Sequence, residues 1–408
     1  MKKILFFLLI FVNSHAQDFR VGAFQLTINP ENDTLYLAGG KPNRPFIDIH
    51  DSLYVKTMFI ENKDENLTIL TFDCIGMLYP VLQEIRKEIS RIQPEINTKN
   101  IVMSSTHTHS GPDVVGIWGK DLMHSGVVEA YMNKIIHQAV ESILQAYKHR
   151  KPAKMEYALG KHGEDWVMNI SEPDEIDRDL NCIRFNDLEG NNLVTLTNFA
   201  CHPTILDDAI DAASSDYLWG YYQYLDQIQG GVNMFIQGAI GGWVQPEEIK
   251  SSYENAQFYG ERIGKEVYNL LKTPILNQSD VLLFNSKMVD FPVKNPNFIK
   301  LSEIGTIKRK FESTVLSELV FFKIGEAEFA SHPGESVPIM SFETKKMMKT
   351  NGPKFVMGLT QDALGYILKP SFFQKNSPIP HSEYLTSMSI GPETMQIILN
   401  SLHELKFK

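Results

Sequence analysis

The sequence is poor in cysteine, in long apolar runs and in excess positive charge, and each shortage excludes a class of protein. Three cysteines cannot all form disulfide bonds with one another, and a chain of 408 residues is large enough to be stable without them. We therefore expect Cys74, Cys182 and Cys201 to be small buried side chains. With 39 basic and 49 acidic residues, the net charge of -10 argues against a nucleic-acid partner, which needs a basic surface. No internal repeat or low-complexity tract appears, and a composition that is 43% hydrophobic can bury a large core.

The most marked apolar run lies at the N-terminus. A basic start at Met1-Lys-Lys leads into apolar residues from Ile4 to Val12 and then into Ser14-His-Ala16. This order is typical of a cleaved secretory signal, and the run is too short to span a bilayer. We predict a signal peptide over residues 1–16 and a mature domain over residues 17–408, located in the periplasm or secreted. No later segment predicts a transmembrane helix.

The most informative stretch is Thr106-His-Thr-His-Ser-Gly-Pro112, which follows a short apolar run from Ile101. An apolar run bounded by Gly-Pro is typical of a buried strand, and period-2 geometry then predicts His107 and His109 on one face at its end. Neutral imidazole is the commonest protein metal ligand, so the pair can give zinc two ligands, or one ligand and one group that faces a substrate. A satisfied polar histidine remains the alternative for each.

Predicted helices and strands alternate along the chain. Apolar residues at helical spacing predict helices at residues 80–92, 127–147, 253–271 and 392–405. Strand-like runs, of which the first two form a hairpin, lie at residues 49–61, 67–73, 192–200, 231–237, 281–293, 318–330 and 354–360. With no linker between them, these elements predict an α/β fold in a single large catalytic domain.

Small and polar residues follow four of the predicted strands, where loops on a rigid frame carry chemistry. His202, Glu335 and Tyr366 lie in three of these loops. Together with His107, the first two give two histidines and a carboxylate, the ligand types of a catalytic zinc site, which Tyr366 could complete. Such a zinc ion polarises a carbonyl and lowers the pKa of water to about 7, and His109 with a nearby tyrosine would hydrogen-bond the developing oxyanion. Each of these residues also has a purely structural alternative. His202 could lie in a turn, Glu335 at a helix N-terminus, and Tyr366 in the hydrophobic core.

These motifs resemble the catalytic domain of the neutral/alkaline non-lysosomal ceramidases. The resemblance rests on Thr106 to Pro112, Ile49-His-Asp-Ser-Leu-Tyr54, Phe199-Ala-Cys-His-Pro203, Pro333-Gly-Glu335 and Gly365-Tyr-Ile367, which occur in the family's order. It implies packed mixed β-sheets surrounded by helices, and a catalytic Zn²⁺ held by His107, His202, Glu335 and Tyr366. It also implies that His109 and Tyr384 contact the substrate carbonyl.

The sequence departs from the family at positions tied to ceramide. Gln245 stands in place of a serine implicated in catalysis, and Ile170 in place of a substrate-contacting arginine. We also expect no immunoglobulin-like C-terminal domain, because the sequence ends soon after its last predicted helix. Since glutamine cannot act as a nucleophile, we expect direct attack by water and no covalent acyl-enzyme.

The sequence therefore predicts a secreted zinc-dependent hydrolase of amide (N-acyl) bonds that is ceramidase-like without being a true ceramidase. Its substrate would be a small molecule, a lipid or a glycan. One alternative is a glycan-processing enzyme of a polysaccharide-utilising bacterium, suggested by the acidic and aromatic residues at 113–118 and 247–248. A non-catalytic binding protein that kept the fold is the other.

Overall fold

The computed structural model describes residues 19–31, 35–63, 65–207, 210–247 and 249–407. The predicted signal peptide at residues 1–16 lies outside these residues and stays a prediction. Within the described chain, no helix is long and apolar enough to cross a bilayer. The cysteine prediction is confirmed, because Cys74, Cys182 and Cys201 are all buried and free.

The described strands are β1 (Phe19–Thr27), β2 (Asp48–Ile49), β3 (Tyr54–Glu61), β4 (Asn66–Phe72), β5 (Ile101–Ser105), β6 (Lys151–Lys161), β7 (Val167–Asn169), β8 (Asp179–Asp187), β9 (Asn192–Phe199), β10 (Ala212–Ala213), β11 (Val232–Gln237), β12 (Val244–Pro246), β13 (Ile275–Leu276), β14 (Leu282–Pro292), β15 (Thr314–Ile324), β16 (Ala327–Ser331), β17 (Glu335–Ser336), β18 (Lys354–Met357) and β19 (Tyr366–Ile367). The α-helices are α1 (Tyr79–Ile92), α2 (Glu129–Lys148), α3 (Tyr217–Ile228), α4 (Tyr253–Leu270), α5 (Pro296–Glu303), α6 (Pro338–Met347), α7 (Ser382–Ser387) and α8 (Thr394–Leu405). Short 3₁₀ helices lie at Thr98–Asn100 and Pro370–Phe373.

Two mixed sheets form the centre of the molecule. The larger has nine strands, in the order β11-β9-β8-β6-β1-β3-β4-β5, with β13 paired to β6. The smaller has four strands, in the order β14-β15-β16-β18. Three two-stranded ladders, β10-β2, β12-β7 and β17-β19, lie outside them. Within the two sheets most neighbours are antiparallel, but the pairs β4-β5, β9-β11 and β16-β18 are parallel, so the members of each pair end at the same edge. The ladders β10-β2 and β17-β19 are parallel as well.

The sheets pack face to face, and helices cover their outer faces. One buried cluster joins Met58 and Val102 of the large sheet to Val320 and Phe322 of the small sheet. Two further clusters place α1 and α2 on one half of the large sheet's outer face and α3 and α4 on the other half. A fourth packs α6 and α8 on the small sheet. The predicted α/β class, with packed mixed sheets surrounded by helices, is therefore confirmed.

Most predicted elements occur, and the differences have local causes. The predicted hairpin forms as β3 and β4, and the four predicted helices form as α1, α2, α4 and α8. The predicted strand at residues 318–330 is instead a hairpin, β15 and β16, because Gly325 turns the chain with a φ of 57°. Helix α3, which the sequence did not predict, contains Gly220. A Cβ added at Gly220 would collide with the carbonyl of Gln257 in α4, so the close packing of α3 on α4 requires glycine at this position.

The loops that follow β5, β9, β16 and β18 meet at one edge of the sandwich. The amide of Ser105 donates to the carbonyl of Leu359, and the amide of Gln361 donates to the carbonyl of Met103, which ties the large sheet to the loop after β18. The amide of His332 donates to the carbonyl of Met357. The strand ends that the sequence marked as rich in polar residues therefore share one site.

Candidate metal centre

His107 and His109 lie in a loop, and the predicted arrangement on a strand face is wrong. β5 ends at Ser105, and His107 has a φ of 70°, in the left-handed region. The chain reverses at this residue and brings the Nε2 atoms of the two rings to 3.3 Å from each other. The amide of His107 donates to the carbonyl of Cys74 at 2.9 Å, which fixes the turn.

Each imidazole has a partner behind it that sets its orientation. Nδ1 of His107 donates to the carbonyl of Ile75, and Nδ1 of His202 donates to the carbonyl of Val244 at 2.9 Å. Since a carbonyl can only accept, both Nδ1 atoms carry hydrogen, and in the neutral rings both Nε2 atoms are bare acceptors. Such outer partners are typical of histidines that bind metal.

His109 differs from the other two histidines because its partner is charged. Its Nδ1 lies 3.2 Å from Oδ1 of Asp207, while its backbone carbonyl accepts from the buried guanidinium of Arg44 at 3.1 Å. A carboxylate behind an imidazole holds the ring in one tautomer and stabilises its protonated form. Burial lowers the pKa of His109, and Asp207 opposes this effect only in part. His109 therefore rests neutral, beside a group that favours its protonation.

Glu335 and Tyr366 are neighbours because β17 and β19 pair in parallel register, with Glu335 opposite Tyr366. The indole N–H of Trp243 donates to the hydroxyl of Tyr366 at 2.8 Å. Burial, with the nearby Glu335 and Tyr384, raises the pKa of Tyr366 well above its usual value, which favours the neutral phenol.

The predicted ligands converge. Oε2 of Glu335 lies 3.0 Å from Nε2 of His202 and 3.4 Å from Nε2 of His107. The ligand atoms of His107, His109 and His202 all lie within 4.8 Å of one another. Burial alone would raise the pKa of Glu335, but positive charge at His107 and His202, whose Nε2 atoms face it, outweighs burial and holds this pKa well below its usual range. A buried carboxylate therefore faces the histidine cluster in its charged form.

This donor set fits a metal ion. Bare nitrogen lone pairs and a carboxylate oxygen at these separations repel one another unless a proton or a cation lies among them. Neutral imidazole and carboxylate are the ligands that zinc prefers in catalytic sites. The sequence left His109 open as a second ligand or as a group that faces the substrate, and in the structure it is close enough to count among the possible ligands.

The cluster lies at the side of an apolar cavity of about 480 Å³. His107, His109, Glu335, Tyr366 and Tyr384 line it with many apolar side chains, among them Val115, Ile117, Trp118, Phe298, Leu301 and Ile307. Leu122, Met123 and Ile304 also line the cavity yet are 55%, 63% and 40% exposed, so they form its apolar mouth. The cavity can bury a long apolar group beside the candidate metal centre.

The positions that depart from the ceramidase pattern lie behind this cavity. Gln245 pairs with Met168 in the β12-β7 ladder, and the amide of Ile170 donates to the carbonyl of Trp243. Neither Gln245 nor Ile170 lines the cavity.

The residues that suggested a glycan enzyme have different surroundings in the structure. Asp113 is buried and accepts from three loop amides, Trp118 lines the cavity, Glu247 is exposed, and Glu248 lies outside the described residues.

Sequence reasoning missed Asp207 and Trp243. Asp207 belongs to an acidic loop whose composition resembles ordinary surface, and Trp243 follows a Gly-Gly pair that indicates only a turn. Nothing in the order of residues shows that Asp207 lies behind His109 or that Trp243 reaches Tyr366, since 98 and 123 residues separate the partners.

Residues 39–229 match the family model "Neutral/alkaline non-lysosomal ceramidase, N-terminal". Neutral ceramidase A from Dictyostelium discoideum is 26% identical over 189 residues, which cover 41% of this chain and 26% of that protein. Neutral ceramidase B from the same organism is 28% identical over 152 residues, covering 32% and 20%. About half of the chain is therefore similar to the N-terminal part of the neutral/alkaline ceramidases. The matches span about a quarter or less of the curated relatives' own length.

The fold agrees with this family. Neutral ceramidase from Pseudomonas aeruginosa superposes with a TM-score of 0.77 at 17% identity, over 95% of this chain and 74% of that one. A structure described as a ceramidase complexed with C2 gives a TM-score of 0.75 at 16% identity, over the same fractions. At this level of identity the likeness establishes the fold alone, so this chain and the two solved ceramidases share one architecture.

Proposed function

We propose that this protein belongs with the neutral/alkaline ceramidases and is a zinc-dependent hydrolase of amide bonds. One observation carries the proposal: bare imidazole nitrogens and a charged carboxylate meet at the side of a large apolar cavity. The residues proposed to hold the ion are His107, His202, Glu335 and, through its phenol oxygen, Tyr366. Zinc in such a site supplies a Lewis acid that polarises a carbonyl and acidifies water.

The other groups of the site divide the remaining work. His109, neutral at rest and backed by Asp207, accepts a proton from the attacking water through Nε2. The resulting imidazolium, stabilised by the Asp207 carboxylate, hydrogen-bonds the developing oxyanion and then protonates the leaving nitrogen. Tyr384, half exposed at the cavity mouth, donates its hydroxyl to the substrate carbonyl. No side chain in this scheme forms a covalent intermediate, in keeping with Gln245 at the serine position.

The proposed substrate is an N-acyl lipid. An acyl chain beside the cluster would bury against Val115, Leu301 and Ile307, and its amide carbonyl would lie next to His109. The curated relatives are named ceramidases, which supports an N-acyl bond as the one cleaved. Gln245 and Ile170 replace residues tied to ceramide in the family, so we propose a substrate other than ceramide. The predicted signal peptide supports a periplasmic or secreted enzyme.

The experiment is a screen of the mature protein with and without zinc. N-acyl lipids, N-acyl amino acids and acylated sugars are offered, and the released amine and fatty acid are measured. We expect release from at least one N-acyl lipid, its loss after chelation, its return with added zinc, and no acyl adduct by mass spectrometry. Cleavage of oligosaccharides with no release of amine or acid would instead identify a glycan enzyme. An occupied metal site with no turnover would favour a binding protein.

A further inference from the structure

Four consecutive residues, Gly241 to Val244, touch three of the four proposed metal-holding residues. The amide of Gly241 donates to the carbonyl of Ser336 at 2.8 Å, and a Cβ on Gly241 would lie 2.4 Å from the carbonyl oxygen of Glu335, so the segment is pressed against β17. The carbonyl of Val244 accepts from both the amide and the ring Nδ1 of His202.

Trp243 makes the remaining contact. Its indole N–H donates to the Tyr366 hydroxyl at 2.8 Å, and its ring packs against His381, with centroids 4.6 Å apart, and Tyr384, at 5.4 Å. The backbone of Trp243 has a φ of 64°, an unfavourable conformation for a bulky residue. With this backbone conformation, the indole N–H of Trp243 faces the hydroxyl of Tyr366.

We propose that Trp243 is a positioning residue that fixes the Tyr366 hydroxyl at the metal centre. By donating to the phenol oxygen, the indole holds that oxygen in place beside Glu335 while leaving its second lone pair available. The inference rests on the proposed metal centre but concerns a residue that neither binds the ion nor lines the cavity. It gives the segment from Gly241 to Val244 a role, which is to hold the side chains proposed to bind the metal in position.

The test is a double-mutant cycle read out as zinc affinity, which needs no substrate. Zinc dissociation constants are measured by chelator competition for the wild type, Trp243→Phe, Tyr366→Phe and the double variant. Phenylalanine keeps the aromatic packing and removes only the donor. We expect Trp243→Phe to weaken zinc binding about tenfold or more in the wild-type background. In the Tyr366→Phe background, where no hydroxyl remains to be positioned, we expect the same change to have almost no effect.

His381→Asn is the matched control, because it disturbs the ring that packs on Trp243, tolerates the left-handed backbone at this position and leaves the hydrogen bond intact. We expect it to leave zinc affinity unchanged. If Trp243→Phe does not fold, Trp243→Met replaces it, since the flexible thioether fills space and has no N–H.

Two results would overturn the inference and show that Trp243 is merely structural. One is that Trp243→Phe weakens zinc binding equally in both backgrounds. The other is that it lowers the melting temperature and leaves the zinc affinity unchanged. Those results leave the hydrolase proposal intact, because the wild type would still hold zinc. A wild-type protein that binds no zinc would overturn both proposals, and a wild type that shows the expected coupling without amide cleavage would overturn only the hydrolase.

Discussion

At the scale of single residues, the three histidines of the cluster differ in the groups behind them. Backbone carbonyls hold His107 and His202, while the carboxylate of Asp207 holds His109. A carbonyl fixes a ring without favouring its protonation, which suits a metal ligand. A carboxylate favours the protonated ring, which suits proton transfer. The groups behind the rings therefore support one role for His107 and His202 and another for His109.

Replacing His107 and His109 separately tests this division of roles. We expect His107→Ala to lose most of its zinc and its activity, because a ligand is removed. We expect His109→Ala to keep zinc near one per chain while kcat falls by about 10²–10⁴, the usual contribution of a general base. Zinc content and kcat of the two variants provide the measurement. Equal loss of zinc in both would make His109 a ligand and refute the assignment.

The sequence identified His107, His109, His202, Glu335 and Tyr366 as residues that could act together, and the structure brings them to one place. Residue type and position after a strand indicated these residues but left alternatives open, and the resemblance to the ceramidases selected the set. The groups that orient them could not be predicted. Asp207 and the carbonyl of Val244 lie far from His109 and His202 in the sequence and contact them only in the folded chain. A backbone carbonyl, moreover, is present at every position and gives no sequence signal.

At the scale of elements, two buried charged side chains, Lys56 and Asp73, tie the β3-β4 hairpin to the loop of the site. Nζ of Lys56 donates to the carbonyl of Asn233 at 2.9 Å and lies over the ring of Tyr222. Asp73, just after β4, accepts from the hydroxyls of Tyr222 and Thr106, and Thr106 precedes His107. Burial lowers the pKa of Lys56 to about 8 and raises the pKa of Asp73 to about 6, although each charge favours the other.

The pair predicts a pH-dependent effect of Lys56→Met. Without Lys56 the pKa of Asp73 in the folded state lies above 6. The folded protein then holds a proton that the unfolded chain has lost, so the variant's free energy of unfolding keeps falling as pH rises past 6. We expect a loss of about 1–3 kcal/mol relative to wild type at pH 8, where the buried Asp73 carboxylate lacks a nearby positive charge, and a smaller loss at pH 5.

Urea unfolding of both proteins at the two pH values gives the comparison. Lys154→Met, which changes an exposed lysine of β6, serves as the control and should have little effect at either pH. The interpretation fails if the loss from Lys56→Met is as large at pH 5 as at pH 8.

Elements with a clear apolar period could be predicted, and elements formed by tertiary packing could not. α1 carries buried residues at helical spacing in its own sequence. Helix α3 depends on α4, because Gly220 allows the two helices to approach closely. The two-residue strands β17 and β19, which bring Glu335 to Tyr366, are too short to leave a periodic signal.

At the scale of the whole molecule, the side chains proposed to hold the metal and the apolar cavity come from segments far apart in the chain. The cavity wall combines residues after β5, such as Val115 and Ile117, with Phe298 and Leu301 of α5. The hydroxyl of Thr306 donates to the carbonyl of Leu122 at 2.8 Å and holds the two sides of the mouth together. No single segment of the sequence indicates the cavity, so the proposed acyl-chain site could be found only in the structure.

The cavity predicts how the rate depends on acyl chain length. With one amine held constant, each added methylene that buries in the cavity contributes about 0.8 kcal/mol, or about a fourfold increase in kcat/KM. We expect this rise to continue until the cavity of about 480 Å³ is filled and then to level off. A series of N-acyl substrates of increasing chain length measures it. No dependence on chain length would contradict a buried acyl group.

The account depends above all on one metal ion held jointly by His107, His202 and Glu335. The most direct measurement is the metal content of the purified wild type and of His202→Ala, determined by elemental analysis beside the hydrolysis rate. The account predicts about one zinc per wild-type chain, almost none in His202→Ala, and the loss of activity together with the metal. Full zinc content in His202→Ala, or activity that persists in metal-free wild type, would contradict it.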